Sequence, residues 1–485
     1  MIRLLLILMT GILGLAACTP TMRLPFPTEA IDADDGARYY DVDGNGRIDF
    51  TVRVGPDGRA EVLEYDDDED GRCDRRYRLS DYDPARVPHL IILLDSIPFD
   101  PIARAHAEGR LWCFNAPRKV IPPFPTMSSL IFSQMLGAPP PPGMINRHYD
   151  RRRGRIDNRI TKRVFGWRYP WQLRLHYHPS YLENGQMFLD PRGWYPVELA
   201  RIRTALDESP DRVTIVYVAS TSGLLSKYGA ESLDQIIDGL QQLALQLLHD
   251  RNGAVAISVV ADHGHNLMPP ERIELGETLE AAGFRLTTKL RTARDVVFDI
   301  DGLVNYLGIH TRRPAAVADA LLARDEIELV MYKAGDVVLV RSAAGTARIE
   351  KRGDRFRYRP QDADVLEYEQ VIESLRRQGA VDQDGFVQDE AWFAVTVDHQ
   401  WPDAPPRIWN AFHGTALNTP DVMLSMRDGY CIGLSGFDFW IDMASSHGGL
   451  NQINSATILM STTDRVTGPV RTRDVLGVLE PEYHP

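Results

Sequence analysis

Asp95, Asp262 and His263 have the residue types and positions expected of a metal-centred hydrolytic site. Asp95 directly follows the apolar run 89–94, and Asp262-His263-Gly264 closely follows the apolar run 254–260. Because the carboxyl ends of parallel strands form the ligand-binding edge of an open α/β sheet, we expect these side chains to lie together. One aspartate at a strand end could be a helix cap, but Asp-His-Gly at a second strand end favours a metal site. Two carboxylates and an imidazole suit zinc, or manganese with added water ligands.

Several hydroxyl groups occur in the segment Phe124-Pro-Thr126-Met-Ser128-Ser129, just before an apolar run, 130–136, that could form a helix. A bound metal lowers the pKa of water from ~15.7 to ~7 and should act on an alcohol similarly. A hydroxyl at a helix N-terminus also gains from backbone N–H groups that face an incoming anion. The segment is therefore the candidate source of a nucleophile.

The order of these motifs resembles that of the alkaline phosphatase superfamily. The matching segments are Leu-Leu-Asp95, Phe-Pro-Thr-Met-Ser128, Ala-Asp262-His263-Gly264 and Ser-Ser-His447-Gly448, and the likeness extends over residues 88–463. It looks closest to the type I phosphodiesterase and nucleotide pyrophosphatase branch. The resemblance implies that Asp95, Ser128, Asp262 and His263 surround one metal. It also implies that Ser128, where the family usually has threonine, is the nucleophile, with Thr126 and Ser129 as alternatives.

The family's second metal site is incomplete in this sequence. Family members usually hold that metal with an aspartate and a histidine in a D-x-x-G-H-x-Y-G segment, and with a late histidine that corresponds to His447. The matching segment here, 222–229, has Ser222 and Ser226 at the two ligand positions. An alignment on the glycine would place Ser220 and Leu224 there instead. The resemblance therefore implies one main metal, with His447 as a neighbour that stabilises developing charge or protonates the leaving oxygen.

Four further residues could take part in such a site. Asp398, His399 or His413, from a region inserted relative to the family, could supply replacement ligands for a second metal. His265 follows the Asp-His-Gly motif by one residue, and a histidine there more often orients a ligand or caps a loop. A one-metal site remains chemically plausible, because transferases of the same superfamily that move phosphoethanolamine or phosphoglycerol groups work around one such metal.

Two acidic repeats precede this region. Residues 41–49 and 66–74 both fit the pattern DxDx(D/N)GxxD. Alternate carboxylates place hard oxygen ligands around one centre, and the glycine permits the sharp turn of a calcium loop. The predicted calcium ligands are Asp41, Asp43, Asn45, Asp49, Asp66, Asp68, Asp70 and Asp74. Because apolar and polar residues alternate in the flanking segments 50–54 and 60–65, as in strands, we expect a small β module stabilised by bound calcium. The alternative is a pair of solvated, metal-free turns.

The N-terminal residues predict export. An apolar stretch after Arg3 ends in Leu15-Ala-Ala-Cys18 and is too short to span a bilayer with ease. Small residues before a cysteine resemble the lipobox of bacterial lipoproteins, which implies that Cys18 is lipidated and anchors the chain to the cell envelope, facing the periplasm. The alternative is an ordinary signal peptide and a secreted protein. Cys73, Cys113 and Cys431 have no CxxC spacing, so a zinc ribbon is not indicated.

The length of the chain and its pattern of apolar and polar residues predict the strands and helices that position the site. With 485 residues, of which 44% are hydrophobic, the chain can bury a large core. Apolar runs that alternate with helical segments predict an α/β fold with a mostly parallel, alkaline phosphatase-like sheet and helices on both faces. The predicted units are a lipoprotein signal peptide with its lipobox (1–18), the acidic β module (19–88), the first part of the core (89–290), an inserted α+β cap (291–420) and the last part of the core (421–485).

The charge pattern gives little information about the substrate. Between residues 29 and 83 there are 18 acidic and 8 basic residues, which account for −10 of the formal net charge of −13. The stretch 147–163 carries seven arginines and one lysine. It is expected on the surface, where it could contact a phosphate-bearing or lipid substrate or could serve solubility. No specificity for nucleic acid is indicated.

Together these features predict a cell-envelope, metal-dependent phosphodiesterase or phosphotransferase. Ser128 would attack a phosphoryl centre of a small molecule or lipid head group, and the resulting phosphoserine would be resolved by water or a second alcohol. A sulfatase is disfavoured, because the segment that begins at Cys113 lacks the C-x-P-S-R pattern of that group. The alternative, favoured by Ser222 and Ser226, is a catalytically degenerate, lipid-anchored binding protein that keeps the fold.

Overall fold

A computed structural model of the chain describes residues 22–34, 36–433 and 442–482. The predicted leader, including Cys18, lies outside the described residues. Within the described ranges, no helix is both long enough and apolar enough to cross a membrane.

The acidic N-terminal segment forms an antiparallel five-stranded sheet with the strand order β1-β2-β3-β4-β5. The strands are β1 (Asp32–Asp34), β2 (Ala37–Tyr40), β3 (Phe50–Val54), β4 (Ala60–Tyr65) and β5 (Arg75–Arg78). The bounds of β3 and β4 are those expected from the alternating sequence. The acidic repeat 41–49 connects β2 to β3, and the repeat 66–74 connects β4 to β5, so both repeats are hairpin loops.

The β module packs against the next domain through aromatic side chains. Phe26, Phe50 and Tyr65 surround the imidazole of His249, whose ring centre lies 4.9 Å from that of Phe50. The Tyr65 hydroxyl donates a hydrogen bond of 2.9 Å to the His249 carbonyl. Because His249 lies near the end of a long helix, this contact fixes the module to the core.

The core contains a six-stranded sheet with the order β10-β6-β11-β24-β7-β25. Its strands are β6 (His89–Leu94), β7 (Arg118–Ile121), β10 (Val213–Val218), β11 (Ala256–Ala261), β24 (Thr457–Ser461) and β25 (Val470–Arg471). Only β24 runs antiparallel to the other five. Every residue of β6, β10 and β11 is buried, as expected of strands covered on both faces. The predicted α/β class with a mostly parallel sheet is confirmed.

Helices cover both faces of this sheet. In β6, Leu90, Ile92 and Leu94 belong to one apolar cluster, and Ile91 and Leu93 belong to another on the opposite face. The helices of the core and its loops are α1 (Phe99–Ala107), α2 (Ser128–Met135), α3 (Arg159–Val164), α4 (Tyr181–Leu189), α5 (Pro191–Glu208), α6 (Ser220–Tyr228), α7 (Leu233–Asp250), α13 (Gln452–Ser455) and α14 (Val475–Leu479).

A second, nine-stranded sheet lies between the two parts of the core in sequence, with the order β13-β14-β16-β22-β17-β18-β19-β20-β21. Its strands are β13 (Arg285–Leu286), β14 (Asp295–Asp299), β16 (Tyr306–Thr311), β17 (Ile327–Ala334), β18 (Val337–Ser342), β19 (Gly345–Arg352), β20 (Arg355–Pro360), β21 (Val387–Gln388) and β22 (Val422–Met426). Strands β18, β19 and β20 form an antiparallel meander. The sheet thus extends from residue 285 to residue 426.

Smaller elements complete the described structure. The helices near the second sheet are α8 (Gly276–Ala281), α9 (Pro314–Leu321), α10 (Glu369–Arg377), α11 (Asp389–Thr396) and α12 (Ala404–Ala411). A three-stranded sheet contains β12 (Glu271–Arg272), β15 (Leu303–Val304) and β23 (Tyr430–Gly433), and β8 (Arg147–Asp150) pairs with β9 (Arg155–Asn158).

Candidate metal centre

Asp95, Asp262 and His263 meet at the carboxyl edge of the core sheet. The neighbouring parallel strands β6 and β11 are in a register that pairs Leu94 with Ala261. The residues that follow the two strands therefore leave the sheet side by side. One potential ligand atom from each of the three side chains lies within 4.8 Å of those of the other two. The structure thus brings together the three residues that the strand-end pattern selected.

Two buried atoms of this cluster, Asp262 Oδ2 and His263 Nε2, lie 3.4 Å apart and have no hydrogen-bond partner among the residues that the structure describes. The Nδ1 atom of His263 lies 2.8 Å from the Gly264 carbonyl, which can only accept, so Nδ1 carries the proton and Nε2 presents its lone pair. Buried polar atoms are normally paired. An unpaired carboxylate oxygen next to an unpaired imidazole nitrogen is a suitable pair of ligands for a divalent metal.

The electrostatics of the cluster lead to the same conclusion. Burial and the neighbouring Asp95 raise the pKa of the Asp262 carboxyl well above its ordinary value. Among the described residues, no lysine or arginine forms an ion pair with either carboxylate. Two buried carboxylates without a cation are unfavourable, because like charges in a desolvated site repel. Zinc or manganese at this position would supply the missing positive charge.

Ser128 lies at the edge of the cluster as the first residue of α2. Its hydroxyl is close enough to Asp262 to lower the pKa of that carboxyl, against the larger effects of burial and Asp95. Ser128 and Ser129 are half-buried, whereas Thr126 is fully buried. Of the three candidate nucleophiles, Ser128 therefore combines access for a substrate with contact to the carboxylate cluster.

His447 stacks on the His263 ring. The ring centres are 4.1 Å apart and the planes are inclined by 17°. The Nδ1–H group of His447 donates a hydrogen bond of 3.0 Å to the Thr126 carbonyl. Burial and the neighbouring His263 lower the pKa of His447 to about 3. At neutral pH His447 is therefore an uncharged imidazole at the site, which suits ligand binding better than proton donation.

Two buried polar residues that hold the site were not predicted. The Tyr217 hydroxyl donates a hydrogen bond to Asp95, and the Glu198 carboxylate accepts the backbone N–H groups of Ala219 and Ser220 at the start of α6. Burial raises the pKa of Glu198 to about 7. Tyr217 had a weak signal in the sequence, since it and Thr214 are the two hydroxyl-bearing residues of the mainly apolar strand β10.

The two serines that replace second-metal ligands are buried on α6. Ser222 lies beside the site, since its Oγ atom is 3.4 Å from that of Ser96. The Ser226 carbonyl accepts a hydrogen bond of 2.7 Å from the Ala444 N–H, which ties α6 to the segment that carries His447. Ser222 and Ser226 offer hydroxyls where the resemblance implies a carboxylate and an imidazole, and their assignment to a second-metal site stays a prediction.

The three residues suggested as replacement ligands do not belong to the cluster around Asp262. Asp398 is mostly exposed and forms an ion pair of 2.6 Å with Lys119. His399 packs on Tyr368, and the imidazole of His413 stacks on Trp409. The inserted region therefore does not bring these side chains to the metal centre.

The basic stretch 147–163 forms the β8–β9 hairpin and α3. Its Arg163 side chain lies over the Tyr181 ring at 4.5 Å and donates to the Asn146 amide oxygen at 3.3 Å. The same amide oxygen accepts from the Tyr169 hydroxyl, which also contacts Ser129 at the start of α2. Arg163 is therefore connected to Ser129, at the start of α2, through Asn146 and Tyr169.

The chain was compared with protein families, curated proteins and solved structures. No protein-family model and no curated protein matches the chain. Among solved structures, it is similar to phosphonoacetate hydrolase from Sinorhizobium meliloti 1021 in complex with phosphonoacetate, with 12% identity, 87% of this chain and 98% of that chain covered, and a TM-score of 0.43. It is also similar to human ectonucleotide pyrophosphatase/phosphodiesterase 5, with 12% identity, 82% and 96% covered, and a TM-score of 0.42.

The two acidic hairpin loops have the same internal geometry. In the first loop Asp41 accepts the Gly46 N–H and Asp49 accepts the Val42 N–H, and in the second loop the equivalent aspartates accept the N–H groups of Gly71 and Asp67. Each loop gathers three carboxylates within 4.8 Å, from Asp41, Asp43 and Asp49 and from Asp66, Asp68 and Asp74. Calcium binding at these loops stays a prediction.

We expect calcium to raise the melting temperature of the protein. A Kd of ~10⁻⁴–10⁻³ M, typical of extracellular modules, would stabilise the folded state by roughly 1–3 kcal/mol per loop at about 10 mM calcium. Asp43→Ala and Asp68→Ala should each remove one bound ion, as measured by calorimetric titration. Asp57→Ala, an acidic residue of the same module outside both loops, serves as the control. Binding that is unchanged in both loop variants would contradict the prediction.

Proposed function

We propose that this protein is a metal-dependent hydrolase or transferase of phosphate esters that acts through a covalent phosphoserine at Ser128. The observation that carries the proposal is the buried cluster of Asp95, Asp262 and His263, with two bare ligand atoms, next to a hydroxyl at the start of a helix. Such a set of donors suits zinc or manganese, and the metal would lower the pKa of the serine hydroxyl when bound.

The residues around Ser128 would prepare it for attack on phosphorus. Asp95 is held by the Tyr217 hydroxyl and by Ser96 Oγ at 2.8 Å, and the Ser96 N–H donates to Asp262 at 2.9 Å. These contacts fix both carboxylates before a substrate arrives. The first N–H groups of α2 have no acceptor within the helix and would stabilise negative charge on the phosphoryl oxygens. Water or a second alcohol would then release the phosphoryl group from Ser128.

The cellular setting of this activity is also a proposal. The apolar leader that ends in Cys18 supports export and lipid anchoring at the cell envelope, with the catalytic domain facing the periplasm. The substrate would be a phosphate ester of a small molecule or of a lipid head group. Arg163, which is connected to the start of α2 through Asn146 and Tyr169, would favour a substrate with additional negative charge.

A second candidate is a degenerate, lipid-anchored binding protein. The observation in its favour is that Ser222 and Ser226 are buried at the positions where two metal ligands were expected. Such a protein would keep the fold and a bound metal without turnover. Intact-mass measurement separates the two candidates, because only the enzyme would accumulate one phosphoryl group on Ser128.

The direct test is hydrolysis of bis-p-nitrophenyl phosphate by purified protein supplied with zinc or manganese. We expect Ser128→Ala to lower kcat/KM by at least about 10³-fold, because loss of a nucleophile removes the covalent route. Ser133→Ala is the matched control, since Ser133 lies on the same helix and its hydroxyl only donates to the Ser129 carbonyl. Equal activity of wild type and Ser128→Ala would overturn the proposal.

A further inference from the structure

A cavity of about 440 Å³ lies at the junction between the inserted region and the core. Gln134 of α2 and Arg471 of β25 line it on the core side, and Arg407 and Asn410 of α12 line it on the inserted side. Among the residues that the structure describes, those that line the cavity include none of the candidate metal centre. A volume of this size lies within the ~300–1,000 Å³ that is typical of small-molecule sites. The cavity is therefore a candidate binding site separate from the metal centre.

Arg407 is a buried cation in the wall of this cavity. It is 4% exposed, and among the described residues its guanidinium forms no ion pair with a carboxylate. Its Nη1 atom donates to the Pro402 and Leu450 carbonyls and its Nη2 atom to Ser455 Oγ, whereas its Nε–H group has no acceptor. Burial lowers the pKa of Arg407 to about 10, although the charge of Asp403 opposes this shift. A buried guanidinium in this state is unfavourable until a ligand supplies an acceptor and a negative charge.

The other charged groups of the cavity wall already have partners. The Asp403 carboxylate, which also lines the cavity, accepts two hydrogen bonds from Arg471, at 2.7 and 2.8 Å. Arg471 and Arg473 form further ion pairs with two carboxylates outside the lining, Asp389 and Glu390. The lining itself carries three arginines and one aspartate, a net charge of +2 with histidine neutral. This excess of positive charge favours an anionic ligand.

We propose that the cavity binds a small anion whose carboxylate or phosphate group accepts a hydrogen bond from the Arg407 Nε–H group. Such a ligand supplies the acceptor and the negative charge that this guanidinium lacks. The side-chain amides of Gln134 and Asn410 also line the cavity and donate to the remaining oxygen atoms of the ligand. The ligand is distinct from the phosphate ester at the metal centre, so the inference goes beyond the proposed function and does not depend on it.

The first test is calorimetric titration of the zinc-loaded protein with succinate, a dicarboxylate, and separately with inorganic phosphate. We expect at least one of these probes to bind saturably, and we expect Arg407→Met to weaken that binding at least about tenfold. Arg376→Met is the matched control, since Arg376 is an exposed arginine of the inserted region that does not line the cavity. The probe that binds more tightly shows whether a carboxylate or a phosphate occupies the cavity.

Two further variants distinguish binding in the cavity from binding elsewhere. Asn410→Trp fills the cavity and keeps Arg407, so it should abolish binding even if Arg407→Met is poorly folded. Asp262→Asn, which removes a ligand of the metal centre, should bind the same probe with unchanged affinity. Binding that is lost in Asp262→Asn and kept in Arg407→Met places the anion at the metal centre and contradicts the proposal. If neither probe binds the wild type, or if one binds Asn410→Trp as tightly as the wild type, the proposal is overturned and the proposed function stands.

Discussion

Asp262→Asn is expected to abolish binding of the first metal and to lower kcat/KM on phosphate esters by at least about 10³-fold. The Asp262 side chain is fully buried, and its Oδ2 atom has no partner in the described structure. An amide is uncharged and a poor ligand for zinc or manganese, so the substitution removes the charge that the ion needs while keeping the shape of the side chain. Metal analysis of the purified variant, together with the ester assay, measures both effects.

The same substitution should have the opposite effect on the metal-free protein. Because burial and Asp95 raise the pKa of Asp262, the ionised carboxylate opposes folding at neutral pH. We therefore expect metal-free Asp262→Asn to melt at or above the temperature of metal-free wild type. Added zinc should stabilise the wild type alone, by about 4 kcal/mol at a concentration of ~1,000 times Kd. A variant that still gains this stabilisation would place the metal elsewhere.

The part of the site that the sequence predicted is the part set by strand ends. Asp95 and Asp262 follow apolar runs that were predicted to be buried strands, and parallel pairing of β6 with β11 brings such residues together. The bounds of β10 also match the apolar run 213–218. In these segments the local sequence shows where each strand ends, and therefore where the site residues lie, because a fully buried parallel strand needs a continuous apolar run.

The hydrogen bonds that position the site residues could not be predicted from the sequence. Tyr217 pairs with Asp95 across 122 positions in the chain, and the bond depends on the register of two strands. Ser96 adopts a positive φ of 66°, which lets its N–H reach Asp262, and nothing in the local sequence requires that conformation. In the described structure both ring nitrogens of His265 lack a hydrogen-bond partner, which could not be predicted either, since it is a property of the packed structure.

The bounds of the inserted region also could not be fully predicted from the sequence. The predicted cap ends at residue 420, but the second sheet also includes β22, at residues 422–426. Strand β22 is buried at every position and pairs with β16 and β17. Its apolar sequence fits a core strand equally well, so only the tertiary pairing assigns it to the second sheet.

A buried ion-pair cluster joins this inserted region to the core. The Asp403 carboxylate receives two hydrogen bonds from the Arg471 guanidinium, from Nε at 2.7 Å and from Nη2 at 2.8 Å. The two side chains are 3% and 6% exposed, so the pair is held away from solvent. Burial raises the pKa of Asp403 to about 6, although Arg471 opposes this shift. One turn along α12, Arg407 donates to the Leu450 carbonyl, three residues after His447.

Asp403→Ala should therefore destabilise the protein by about 3 kcal/mol. Loss of one partner leaves part of a buried guanidinium without its counter-charge, and that cost exceeds the net value of the pair itself. Asp398→Ala, which breaks the exposed pair with Lys119, is the control and should cost less than about 1 kcal/mol. Urea denaturation followed by circular dichroism measures both. If Asp403→Ala and Asp398→Ala shift the midpoint equally, the buried cluster does not stabilise the junction between the inserted region and the core.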